Sequence, residues 1–573
     1  MVVRGGRLVD VHTAQVYAAD VAVKGERIAA VGKVEGAIGA DTEVLDASGR
    51  FICPGFIDTH QHSYEAHLNM TEYARVLLEH GTTTVSEAFY GMGFVSGVRG
   101  VRESLDELRR TPVRVLFMVP ILAYLQNREL GLPVTPCCPT ADELIEMLDW
   151  PECRGLEEPP YIPILEKDPF FLDLFERTVA GGKVVTGHGC GLSGPELQAY
   201  AAAGASSDHE AVTAVEALER ARLGMWVSMR EGSGASNVRQ LVEALVENKV
   251  DSRSFCFCGD EAEFLRLHRQ GHLDYCLRLA VGAGADPVKA VQAATINAAS
   301  LLGVDKDIGS VAPGKLADMV IVDDLAGFNV FAVIAAGRPV WHDRRMLASL
   351  RRPDYADWMR ETVKVRRELT LQDLRIPAPP GRSRVMVRVI GVTDGSLISD
   401  DLRIEVEVKS GEIGQDTSQD LLKAAMVDRF GRFEGAGLGL IRGFGLKRGA
   451  VGTSYNGLCQ NLLVVGADDR DMLLALERMA ALGGGFVVVA GGKVLAELPL
   501  PLYGLLTDLS LEEATARMES VYRAMRGLGC GLSKGPLHTL AFTGVCGEIG
   551  HLKIGHAGLF DVAARRFAPI VID

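Results

Sequence analysis

The stretch Gly49-Arg-Phe-Ile-Cys-Pro-Gly-Phe-Ile-Asp-Thr-His60-Gln-His62 reads as an extended run that ends in two histidines one residue apart. Side chains on a strand alternate between faces, so His60 and His62 point to the same side and can reach one common point. Neutral imidazole is a good ligand for zinc, manganese or iron. A bare His-x-His is common in proteins, and here its weight comes from the pattern downstream. From 53 to 304 short apolar runs alternate with helical stretches. Val113 to Pro120, Lys183 to His188, Ala205 to His209 and Met225 to Glu231 are strand-like, while Ala211 to Arg222, Val238 to Asn248 and Asp286 to Leu302 have helical patterning. That alternation predicts a parallel sheet covered by helices, and some 250 residues suit a (βα)8 TIM-like barrel of the α/β class. Polar residues gather after each predicted strand, at the end where such a barrel carries its chemistry.

Outward from the barrel, residues 1–52 and 305–345 both read as short strands separated by glycine turns, and are expected to join in one composite β-sandwich domain. A charged stretch over 346–385, closing on Pro377-Ala-Pro-Pro-Gly, reads as a connector. Residues 386–573 mix strands with helices at Asp469 to Leu482 and Leu511 to Leu528, as in an additional α+β domain.

Composition narrows the function. At 573 residues with 47% hydrophobic content, the chain can fill several cores. A formal net charge of -14 disfavours nucleic acid or an anionic membrane as partner. Neither an apolar signal core at the N-terminus nor an apolar run of about 18 residues is found. The eleven cysteines form no repeating framework, which suits reduced thiols in the cytoplasm.

Taken strand end by strand end, the barrel offers one set of donors. His60 and His62 close the first strand, Glu157 and Glu158 lie near a middle one, and His188, His209 and Asp260 close later ones. Four histidines, a bridging carboxylate and an aspartate suffice for two divalent ions, which would lower the pKa of bound water. A carboxylate beside that water can carry its proton to a leaving nitrogen. Spacing leaves open which of Glu157 and Glu158 bridges.

At this point the chain resembles a family. Pro54-Gly-Phe-Ile-Asp-Thr-His-Gln-His, Thr295-Ile-Asn-Ala-Ala and Gly309-Ser-Val-Ala-Pro-Gly-Lys-Leu-Ala-Asp318 look like the amidohydrolase superfamily. Within it, His80-Gly-Thr-Thr-Thr-Val, Gly187-His-Gly-Cys-Gly-Leu-Ser-Gly, Ser206-Ser-Asp-His-Glu, Met229-Arg-Glu-Gly-Ser and Leu498-Pro-Leu-Pro-Leu-Tyr-Gly-Leu resemble bacterial adenine deaminases. The resemblance spans nearly the whole chain. It implies an aminohydrolase with two divalent ions per chain (manganese, zinc or iron) held by His60, His62, Glu158, His188, His209 and Asp260. It also implies Asp260 as proton shuttle, Glu231 and His209 as further catalytic groups, and Glu65, Glu87, Ser233 and His188 toward a small heterocyclic substrate. A homodimer is the expected assembly. A cyclic-amide hydrolase opening a lactam, imide or hydantoin-like ring is the alternative on the same scaffold, and a catalytically silent binding protein is a third.

Departures from the family pattern cluster around specificity. Ser63-Tyr-Glu-Ala66 stands where Ile-Glu-Ser-Ser is usual, Glu87-Ala-Phe-Tyr90 where Asp-Pro-His-Glu is usual, and Asn456-Gly-Leu-Cys-Gln-Asn461 where Ala-His-Asp-Ser-His-Asn is usual. With the ligand set kept and several polar groups lost, the expected outcome is a changed substrate preference, with adenine a poor substrate.

Overall fold

The computed structural model describes residues 1–121, 135–545 and 550–572. At its centre is a parallel sheet of eight strands paired strictly in sequence order. They are β1 (Phe56–Gln61), β2 (Thr82–Glu87), β3 (Arg114–Pro120), β4 (Cys153–Pro160), β5 (Val184–His188), β6 (Ser207–Asp208), β7 (Trp226–Arg230) and β8 (Phe255–Cys258). The last strand returns to the first through a parallel bridge between Gln61 and Asp260. Asp260 N–H donates to the His60 carbonyl at 3.0 Å, and His62 N–H donates to the Asp260 carbonyl at 3.1 Å. The backbone bonds that close the barrel therefore run through three of the expected ligand residues.

Helices cover the barrel, and their ends follow local chemistry. The helix predicted from Ala211 starts at Ala214, because Thr213 and Glu216 form a reciprocal capping box. The helix predicted over Asp286 to Leu302 is two pieces, Pro287–Ala293 and Ile296–Leu301, separated where Thr295 leaves helical geometry (φ -136°, ψ -90°).

Both flanks of the barrel enter one pair of sheets. Phe51–Pro54, which leads straight into β1, pairs in parallel with Arg7–Asp10 on one side and antiparallel with Met319–Val322 on the other. A four-stranded sheet containing Val2–Arg4 and Asp20–Lys24 packs on it, with Val3, Leu8, Val21, Ile52, Met319 and Ile334 buried between. His60 thus sits a few residues beyond a strand anchored on both edges.

Beyond 346, a sheet runs in the order Ile376–Pro377, Glu412–Ile413, Asp400–Lys409, Arg384–Gly391, Gly437–Arg442, Leu421–Val427, Leu462–Gly466, Ala450–Thr453, Gly485–Ala490, Lys493–Pro499. Residues 376–377, within the predicted connector, form its first edge strand. The helix Asp469–Leu482 buries Met472, Ala475, Leu476 and Met479 against Val464, Val487 and Val489. This region sits against the barrel rim: Thr507 N–H donates to the His67 carbonyl at 2.9 Å, and Asn69 Nδ2 donates to the Thr507 carbonyl at 3.2 Å. Among the described residues the cysteines are free thiols, and no helix is long and apolar enough to cross a membrane.

Candidate metal centre

Six side chains converge at the C-terminal mouth of the barrel. His60 Nε2 lies 3.3 Å from Glu158 Oε1 and 3.5 Å from Asp260 Oδ1. His62 Nε2 lies 3.5 Å from Glu158 Oε2 and 3.2 Å from Asp260 Oδ1. His188 Nδ1 is 3.3 Å and His209 Nε2 is 3.0 Å from Oε1, the oxygen that His60 also approaches. Three overlapping groups result, His60, His62, Glu158 and Asp260, then Glu158, His188 and His209, and His209, Glu210 and Asp260, each with donor atoms within 4.8 Å of one another. Glu158 belongs to the first two.

The backbone is bent to make this meeting. Glu158 (φ 49°) and Asp260 (φ 52°) both hold the left-handed conformation, which costs a non-glycine residue about 1–3 kcal/mol. The β4–β5 register slips between Glu157 and Pro160, and such a bulge re-aims side chains. Its effect is to separate two adjacent carboxylates. Glu158 enters the cluster, whereas Glu157 goes behind His60, with Oε1 2.5 Å from Nδ1. A carboxylate there fixes the ring and leaves Nε2 as the free donor.

The donor chemistry fits a divalent metal. His60 Nε2, His188 Nδ1 and His209 Nε2 are buried and close no hydrogen bond. Near-contacts with carboxylate oxygens that lack hydrogen-bond geometry are what atoms aimed at a common centre give. Burial alone would raise the Glu158 carboxyl, but His62 and His60, with His188 and His209 close by, hold it well below the usual carboxylate range.

Two further charged groups complete the site. Arg230 Nη1 donates to Asp260 Oδ2 at 2.9 Å and to Glu210 Oε1 at 2.6 Å. Glu210 Oε1 also lies 3.3 Å from His209 Nε2. Neither was singled out from the sequence, although each is adjacent to a residue that was. Alternation along β7 puts Arg230 and Glu231 on opposite faces, and Arg230 holds the cluster face. The Glu231 carboxylate sits 3.8 Å from Arg266.

The other expected substrate groups divide. Glu87 uses one oxygen on the Ser63 amide and the other on the Phe89 amide, both at 2.6 Å, so it shapes the turn after β1. Burial and the neighbouring Glu157 carboxylate push its carboxyl up to about 7. Ser233 Oγ accepts from the Glu263 amide at 2.9 Å. Glu65 lies in the turn Ser63–Ala66, buried, with one carboxylate oxygen unpaired. Where the sequence departs from the family, polar groups serve the fold. Tyr90 donates to the Glu157 carbonyl at 2.5 Å, the Phe89 ring stacks with Phe117, and Gln460 Nε2 donates to the Gly457 carbonyl at 2.6 Å.

Comparison with known proteins agrees with this geometry. The amidohydrolase family profile matches residues 167–340, and that of the adenine deaminase C-terminal domain matches residues 396–566. The chain is 37% identical over 579 residues to an adenine deaminase of Moorella thermoacetica, covering 100% of this chain and 95% of that one. It is 37% identical to an adenine deaminase of Nitratidesulfovibrio vulgaris strain Hildenborough (100% and 96% covered), and 33% identical to one of Clostridium botulinum strain ATCC 19397 (100% and 95%). Like these relatives, the chain belongs to the adenine deaminase family of metal-dependent amidohydrolases.

Proposed function

We propose that the protein is a hydrolytic aminohydrolase of an adenine-like heterocycle, holding two divalent ions, manganese, zinc or iron, with Glu158 shared between them. The observation that carries this reading is that Glu158 belongs both to the group with His60, His62 and Asp260 and to the group with His188 and His209. His60, His62 and Asp260 would hold one ion, and His188 and His209 the other. Ions bound there supply Lewis acidity that makes water a competent nucleophile near neutral pH.

This chain's own groups handle the proton. Asp260 Oδ2 is tied to Arg230, which leaves Oδ1, beside His60 and His62, as the oxygen that faces the reaction. Water adds to the amino-bearing carbon, and the proton it gives up is held at Asp260 Oδ1. That proton passes to the amine nitrogen as the C–N bond breaks. Ammonia leaves, the remaining hydroxyl proton moves to the neighbouring ring nitrogen, and the ring keeps a carbonyl where the amino group was.

Adenine itself is expected to be a slow substrate. Phe89 packs on Phe117, Tyr90 donates to the Glu157 carbonyl, and Asn456 Nδ2 and Gln460 Nε2 donate to carbonyls of their own loop, and each missing polar partner costs about 1–3 kcal/mol. The test is to screen the metal-loaded protein against adenine, ring-modified aminopurines, pterins and cyclic amides, following ammonia and ring opening. Ammonia from an aminopurine, with kcat/KM on adenine below about 10⁵ M⁻¹s⁻¹, is the expected result. Ring opening without ammonia would overturn the reaction, and fast turnover of adenine would overturn the altered preference.

A further inference from the structure

Beside the metal cluster, but outside it, buried polar atoms face one another without closing a hydrogen bond: Glu65 Oε2 and both ring nitrogens of His538. Glu65 lies in the turn that succeeds His62, whereas His538 comes from the C-terminal domain, on the helix Pro536–Ala541. His538 Nε2 is 3.5 Å from Glu65 Oε2. Both residues are shut away from solvent, at 1% and 2% exposure. Aromatic rings connect them to the ligands. Ring centroids are 6.1 Å apart for His62 and Tyr64, 6.0 Å for Tyr64 and Tyr455, and 5.7 Å for Tyr455 and His538. The Tyr455 hydroxyl faces the same Glu65 carboxylate. A continuous wall therefore runs from His62 to His538, across the join between the barrel and the C-terminal domain.

Buried polar atoms without partners are rare because each forfeits its hydration. Here an acceptor-only carboxylate oxygen stands next to an imidazole that can donate or accept. That pair matches an N–H and a neighbouring ring nitrogen on one edge of a nitrogen heteroaromatic.

We propose that Glu65 and His538 form the specificity-determining wall of the substrate site. They read a ring N–H and an adjacent ring nitrogen while the amino-bearing carbon faces the metal cluster. This rests on the aminohydrolase activity proposed for the same site. It also gives the C-terminal domain a direct part in choosing the substrate.

The test uses the full-length, metal-loaded protein with His538→Phe, His538→Gln and Glu65→Gln. For each variant and wild type, melting temperature, metal content and kcat and KM on adenine are measured. Affinities for adenine and its 1-, 3-, 7- and 9-deaza counterparts are then obtained by calorimetry and competition. Losing one buried hydrogen bond should raise KM by about 10 to 100-fold in H538F and leave kcat within about threefold. For at least one deaza analogue the H538F penalty should fall to near unity, because the nitrogen that His538 meets is already gone. H538Q, able to donate and accept, should keep part of the affinity. Equal weakening across all analogues in both His538 variants, or none in either, would overturn the wall and leave the reaction standing. If wild type binds purines without releasing ammonia, the reaction is overturned, and the same binding comparison still decides the wall. If wild type binds no purine, both are overturned.

Discussion

The barrel and the C-terminal domain each bury one arginine completely, and they compensate its charge in different ways. Arg220, on the barrel helix Ala214–Arg222, pairs with Asp208 at 3.1 Å, with both side chains wholly excluded from solvent. It also donates to the Gly189 carbonyl at 2.6 Å. Arg429 has no carboxylate in contact. Its guanidinium donates to the Gln460 carbonyl at 3.1 Å, the Tyr503 carbonyl at 2.6 Å, and the Thr362 hydroxyl and carbonyl at 2.8 and 3.3 Å. Burial accordingly pulls Arg429 down to about 9. The barrel's ion pair ties together the segments that carry His188 and His209, one residue from each. The neutral acceptors in the C-terminal domain gather three loops into a fixed shape. One region answers the buried charge with a carboxylate, and the other with backbone and hydroxyl oxygens.

The sharpest break should come in the barrel's ligand set. His60→Ala removes a donor from the centre of the cluster, and the protein should lose bound metal together with turnover. Asp260→Asn keeps the shape but not the proton carrier, so kcat should fall by about 10² to 10⁴-fold, the range of a general acid–base group. Metal analysis and an ammonia assay on the same preparations separate the two effects. A D260N protein with near-normal kcat would remove Asp260 from the proton path.

The two arginines come next. Arg220→Met strands Asp208 in a dry site, and breaking a buried pair costs about 3–5 kcal/mol. Arg429→Met strands no charge and only frees acceptors, so about 1–3 kcal/mol is expected. Denaturant unfolding followed by tryptophan fluorescence measures both. The barrel variant should also bind metal more weakly, because the Gly189 and Asp208 anchors beside His188 and His209 are lost. Adding Asp208→Leu to R220M should recover stability without recovering metal. Equal costs for the two arginines would erase the contrast between ion pair and backbone cage.

The same contrast explains what could be read from sequence. His60, His62, His188 and His209 were legible because each stands at the end of an apolar run, and a barrel brings such ends together whatever the loops do. Glu158 was not separable from Glu157, since a bulge rather than regular alternation chooses between them. Arg230, which the sequence pattern does not set apart from its neighbour Glu231, turns to the cluster. His538 lay beyond reach because no pattern within Gly535-Pro-Leu-His-Thr-Leu ties it to Glu65, more than 400 residues earlier. Only the packing of one domain on the other does.

The smallest effect lies on the barrel side and concerns pH. His80, which ends the helix Met70–Glu79, lies 3.1 Å from Asp274 on the helix Leu273–Gly282. Burial opposes the charge on His80, but Asp274 more than offsets it and raises its pKa; the same pairing, with Arg278, lowers Asp274 to about 2 against the pull of burial. The two groups act in opposite windows. His80 stabilises the fold fully below its unfolded pKa of about 6.5, and that contribution is lost as pH rises through its raised folded value. Asp274 stabilises above about pH 4 and loses its contribution as pH falls toward 2. Asp274→Asn should therefore cost on the order of 1–2 kcal/mol between these limits and almost nothing below pH 2. Since no ion pair is found on Arg429 among the described residues, Arg429→Met should shift stability by the same amount across the interval from pH 4 to 8. Unfolding free energies of wild type, D274N and R429M from below pH 2 to pH 8 decide it. A pH-independent D274N penalty continuing below pH 2 would make Asp274 a packing residue rather than the anionic half of a pair.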